Sequence, residues 1–118
     1  MSESITLYGI PNCDTVKKAR TWLESRQIDY AFHDFKKQGI NEADLRRWLE
    51  HVPLDTLLNR KGTTWRKLSE TDKARAGQTD GALALMCEHT SLIKRPVFER
   101  GNTVHAGFSV DAYAALTP

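Results

Sequence analysis

The sequence predicts a single α/β domain in which a strand-helix-strand half and a strand-strand-helix half flank a helical insert. Three observations predict it. A short apolar strand runs into a breaker cluster and then an amphipathic helix, the middle of the chain carries only helical spacings, and the end reads as a hairpin followed by a capped helix. The chain has 118 residues, enough for one buried core and too few for two typical domains, so residues 1–118 are expected to form one domain with the insert at about 41–90.

Ile5 to Tyr8 is an apolar, β-branched run, and Gly9-Ile10-Pro11-Asn12 ends it. From Asp14 to Arg26, Val16, Ala19, Trp22 and Leu23 recur at helical spacing, with Lys17, Lys18, Arg20 and Glu24 on the other face. Residues 28–33 alternate apolar with polar, as a second, parallel strand would. In the middle, Asn41 caps a segment with Leu45, Trp48 and Leu49 on one face, Gly62-Thr63-Thr64-Trp65 interrupts with Thr63 or Thr64 as cap, and Gly77-Gln78-Thr79-Asp80 starts another helix. Residues 96–100 and 103–106 read as two strands around Gly101-Asn102, and Ser109 caps a last helix.

Composition narrows the function classes. With 40% hydrophobic and 27% charged residues the chain is that of an ordinary globular protein, and a net charge of +2 does not demand nucleic acid. No helix carries a sustained basic face with interleaved aromatics. No run is long enough to span a bilayer and the N-terminus has no signal-peptide pattern, so the expected location is the cytoplasm, with no membrane partner and a monomer as the default state. His33, His51, His89 and His105 are scattered and pair with neither cysteine at a familiar spacing, so no metal site is expected.

The chemistry-bearing residue is Cys13, at the junction of the first strand and the first helix. Unpaired backbone N–H groups and the positive end of the helix dipole face a sulfur placed there, which favours thiolate over thiol. Thr15 can donate a hydroxyl hydrogen bond to it, Lys17 adds positive charge, and Asp14 opposes both. Position alone leaves open that Cys13 is a small buried apolar residue. Val16 stands where a CxxC motif would carry its second cysteine, so an adduct on Cys13 needs an outside thiol to resolve it. Cys87, the only other cysteine, lies among apolar helical residues that suggest core packing.

Residues 8–19, Tyr-Gly-Ile-Pro-Asn-Cys-Asp-Thr-Val-Lys-Lys-Ala, resemble the active-site segment of the ArsC-like family, in particular its YffB branch. Gly62-Thr63-Thr64-Trp65-Arg66-Lys67-Leu68 and Ile93-Lys94-Arg95-Pro96-Val97-Phe98 resemble two later motifs of that family in the same order. The resemblance implies a thioredoxin-like fold and a reductase with Cys13 as nucleophile and glutathione as co-substrate, without a tightly bound cofactor. It further implies that Arg95 lies by the thiol, that Pro96 is cis, and that Arg60 or Lys61 supplies a second anion contact. The oxidised substrate is not named by the sequence. Residues 104–108 lack the late arginine of arsenate reductases, which counts against arsenate, and His105 replaces it only weakly. Spx-type regulators, which bind RNA polymerase, resemble the chain too, but they use the CxxC switch that Val16 removes.

Overall fold

The computed structural model describes residues 4–118. Its elements follow the order β1 (Ile5–Gly9), α1 (Asp14–Ser25), β2 (Ala31–Asp34), α2 (Phe35–Gln38), α3 (Glu42–Leu49), α4 (Leu54–Leu57), α5 (Thr63–Arg66), α6 (Glu70–Arg75) and α7 (Thr79–Glu88). A 3-10 turn (Thr90–Leu92), β3 (Val97–Arg100), β4 (Thr103–Ala106) and α8 (Val110–Leu116) complete them. The described residues group into two compact units, one comprising the residues up to Gln38 with Arg95–Pro118, the other Gly39–Lys94. No helix among the described residues is long and apolar enough to cross a membrane.

The first unit holds a four-stranded sheet of order β2-β1-β3-β4, parallel between β1 and β2 and antiparallel elsewhere. Phe32, Leu7, Phe98 and His105 are consecutive cross-strand partners. Ile5, Leu7 and Phe98 pack with Ala19 and Leu23 of α1 and Tyr113 of α8 as one buried cluster. Val16, Ala19 and Leu23 are the fully buried positions of α1, at the spacing that puts them on one face.

β2 begins three residues later than the alternating pattern predicts. The N–H groups of Arg26, Gln27 and Ile28 bond the last carbonyls of α1, and Gln27 takes a left-handed φ of 57°. The chain is still leaving the helix there, so Ile28 and Tyr30 pack against the core without joining the ladder.

Tyr113 is fully buried, with the rings of Trp22, Phe98 and Phe108 at 6.0, 5.1 and 4.7 Å. Its hydroxyl has no hydrogen-bond partner, and burial pushes the phenol well above its ordinary range. An orphaned buried hydroxyl costs free energy, so Tyr113→Phe is expected to stabilise the protein by about 1 kcal/mol. Urea unfolding measures it, and a loss of stability would contradict the account.

The second unit is helical. Leu45 and Trp48 of α3, Leu83, Leu85 and Met86 of α7, and Leu57, Leu58, Leu92 and Ile93 are its large buried apolar residues. Asn41 caps α3 by accepting from the Asp44 N–H at 2.9 Å, and Ser69 caps α6 the same way through Asp72 at 3.1 Å. The expected cap at Thr63 or Thr64 falls instead on Gly62, and both threonines lie within α5. Asn59 N–H to Leu92 O and Lys94 N–H to Leu57 O, at 2.7 and 2.8 Å, join the chain after α4 to the chain after the 3-10 turn as a short antiparallel bridge.

Candidate functional site

Cys13 is the N-cap of α1, with extended backbone, and its carbonyl accepts the Lys17 N–H at 2.9 Å. It is a free, half-buried thiol. The first-turn N–H groups of the helix have no intrahelical acceptor and gather at the end that carries it. The approach of α1 to β1 depends on Gly9, because a Cβ there would stand 2.7 Å from Cγ2 of the fully buried Val16. Position 16, where a dithiol motif would place its second cysteine, is therefore a packed core position.

Arg95 and Pro96 come to the same end of the sheet through strand pairing. β3 runs antiparallel to β1 with Tyr8 opposite Val97, so the residues before β3 lie beside those after β1. The Arg95–Pro96 bond is cis, Pro96 is buried, and its carbonyl accepts the Gly107 N–H at 2.8 Å. Arg95 is half-buried and its guanidinium makes no ion pair or hydrogen bond among the described residues. Thr15 and Lys17 are exposed on the first turn of α1. Thr15 is exposed and its hydroxyl makes no hydrogen bond to the Cys13 sulfur, the contact that spacing allows.

Cys13, Thr15, Lys17, Arg95 and Pro96 thus share one end of one unit, whereas Arg60 and Lys61 belong to the other unit. Arg60 is committed within its own loop, with Nη1 2.7 Å from Oδ1 of Asp55 and its guanidinium 5.5 Å from the Trp65 ring centre. Lys61 is exposed, and its backbone N–H donates to Oδ1 of Asn59 at 3.0 Å. Cys87 is half-buried, not the core residue its neighbours suggest, and its thiol is pushed up by burial and then by the charges of Glu42, Asp44 and Glu88. That environment disfavours a thiolate.

Asp34 is the residue at this end that sequence reasoning missed. It pairs with Gly9 at the C-terminal end of β2, is the one buried charged side chain among the described residues, and accepts the Lys36 N–H at 2.9 Å. An Asp ahead of a short polar helix is a cap signal that could have found it. On the sheet face away from Leu7, the Tyr8 hydroxyl donates to Oε1 of Glu99 at 2.8 Å and its ring lies 4.9 Å from that of His33. His105 lies edge-on to Tyr113, with ring centres 6.0 Å apart. Among the described residues no group of His, Cys, Asp and Glu could hold a metal ion.

A βαβ half and a ββα half, a thiol where the first strand meets the first helix, and a cis-proline beside it define a thioredoxin-like protein. The chain belongs to the ArsC family, whose model matches residues 8–116. It is similar to the YffB protein of solved structure, 49% identical with a TM-score of 0.92, over 98% of this chain and all of that one. An arsenate reductase (ArsC) related protein from Brucella melitensis is also 49% identical, with a TM-score of 0.75 over 98% of this chain and 95% of that one. The global transcriptional regulator Spx 1 of Lactococcus lactis is 27% identical over 117 residues, 97% of this chain and 89% of the regulator.

Proposed function

We propose that the protein is a glutathione-dependent thiol-disulfide reductase with Cys13 as its single nucleophile. The observation that carries this reading is the free Cys13 thiol at the start of α1, with the buried Val16 in place of a second cysteine. Cys13 thiolate attacks the glutathione sulfur of a mixed disulfide R–S–SG, and R–S⁻ leaves and takes a proton. The Cys13–SG bond is then cleaved by the thiolate of a second glutathione, which departs as oxidised glutathione and returns Cys13 as thiolate. The net exchange is R–S–SG + GSH → R–SH + GSSG: the one glutathione thiol consumed is oxidised into the new disulfide, and the substrate sulfur is reduced to the thiol. No second cysteine follows Cys13 in α1, and the Cys87 thiol, pushed up by burial, is poorly suited to internal resolution.

Arg95 offers a forked, uncommitted donor for a carboxylate of glutathione, Pro96 lines the same edge, and Thr15 and Lys17 flank the thiol. Of the second pair, Lys61 is free of ion pairs while Arg60 is held by Asp55. Arg95→Ala is expected to raise the KM for glutathione roughly tenfold, with a smaller effect on kcat. The function is tested with the mixed disulfide of 2-mercaptoethanol and glutathione, coupling oxidised glutathione to glutathione reductase and NADPH. Turnover is the expected result, and a rate no higher than the uncatalysed one overturns the reading.

The likeness to Spx supports a second reading, a regulator that binds RNA polymerase without turnover. Stable co-purification with polymerase, together with an inactive thiol, would favour it. The Brucella relative keeps arsenate in view as the oxidant, and arsenate-dependent oxidation of glutathione, lost in Cys13→Ser, would favour that chemistry. The absence of an arginine at 104–108 weighs against it.

A further inference from the structure

Several cations face no carboxylate among the described residues: Lys61, Arg66, Lys67 and Lys94 in the helical unit, and a set in the sheet-bearing unit, where Arg20 and Arg100 instead bond the Tyr30 hydroxyl and the Leu116 carbonyl. In residues 39–94, Arg46, Arg47, Arg60, Lys73 and Arg75 each face a carboxylate. Lys17, Lys18, Lys36, Lys37 and Arg95 face none among the described residues, and the four lysines are exposed. Of the unit's carboxylates, Glu24 accepts the Tyr30 hydroxyl, Glu99 the Tyr8 hydroxyl and Asp34 the Lys36 N–H.

The topology collects these cations at the thiol end. β2 is parallel to β1, with Asp34 opposite Gly9, so α2 with Lys36 and Lys37 leaves the sheet at the end where the chain runs on to Cys13. Neighbouring strands are about 4.8 Å apart. Lys17 and Lys18 lie in the first two turns of the helix that Cys13 caps, and Arg95 precedes β3 at the same end. Within this unit, the exposed carboxylates at that end are Asp14 and Asp111, in the first turns of α1 and α8.

We propose that the thiol end of the sheet unit docks an acidic polypeptide, so that the substrate is a glutathionylated protein cysteine flanked by Asp or Glu. This rests on the reductase reading above and names its substrate class. The transfer is the one already written, with R the acidic polypeptide, released as its thiol. Lys36 and Lys37 lie outside the proposed glutathione contacts, so they steer the polypeptide and leave the chemistry alone.

Two synthetic peptides with one glutathionylated cysteine each, flanked by glutamates in one and lysines in the other, test this on the intact protein. Their kcat/KM is measured at about 0.02 M and about 0.3 M salt, between which the screening length falls from roughly 20 Å to roughly 6 Å. The acidic peptide is expected to react about tenfold faster at low salt and within about twofold at high salt. Lys36→Glu with Lys37→Glu should erase the preference while the 2-mercaptoethanol–glutathione disulfide is still reduced at the original rate. Equal rates for the peptides, or a preference indifferent to salt, overturn the docking surface alone. Failure on both peptides and on the small disulfide overturns the reductase reading, and the docking with it.

Discussion

Cys13→Ser is expected to lower turnover with a glutathione mixed disulfide by about a thousandfold or more, because it removes the group that forms the covalent intermediate. Its fold should be unharmed. Cys13 is the N-cap of α1 and makes no side-chain cap bond, whereas serine is a favoured N-cap residue that can accept a first-turn N–H. Unchanged or slightly raised stability beside lost activity separates a reactive thiol from a small packing residue, the alternative that position alone leaves open. Cys87→Ser should keep activity within about twofold, since a thiol pushed up by burial and three carboxylates is a poor nucleophile. Retention of a large part of the activity in Cys13→Ser would contradict the assignment.

The largest stability effect is expected at Gly81, in the first turn of α7. A Cβ there would lie 2.2 Å from the carbonyl oxygen of Arg75 and 3.0 Å from its carbonyl carbon. The obstacle is backbone at the end of α6, which cannot rotate away as a side-chain tip can. Gly81→Ala is therefore expected to destabilise by about 3 kcal/mol or more, despite alanine's better helix propensity. That corresponds to a fall in Tm on the order of 10 °C. Thermal unfolding followed by circular dichroism measures it, and an unchanged or higher Tm would mean that α6 and α7 do not approach as described.

The contrast between these two residues shows what was legible in the sequence. Cys13 could be read because its setting is local: an apolar strand, a Pro-Asn breaker and a helix with Val16, Ala19 and Leu23 on one face are all adjacent in the chain. The caps at Asn41 and Ser109 were readable for the same reason, since each bonds an N–H three residues on. Gly81 carries no local signal, because the contact that requires it comes from a neighbouring helix. α6, capped by Ser69, and the one-turn α2 passed unnoticed, being too short to show an apolar period. The late start of β2 depends on the left-handed Gln27, a conformation that glutamine does not announce.

The candidate site divides in the same way. Arg95 and Pro96 entered through family resemblance, and the pairing of β1 with β3 supplies the physical reason they lie beside the thiol end. Asp34 lies one residue past the alternating pattern that ends at His33, so its place opposite Gly9 at that end was not marked by the sequence. The Thr15 hydroxyl shows the limit of spacing: two residues after Cys13 is close in sequence, yet the two side chains are not hydrogen-bonded.

The most direct test is mass spectrometry of the intact, reduced protein after brief exposure to oxidised glutathione, followed by mapping of the adduct. The account predicts one glutathionyl group, on the peptide that contains Cys13, removed by reduced glutathione. An unmodified Cys13, or an adduct confined to Cys87, would contradict it.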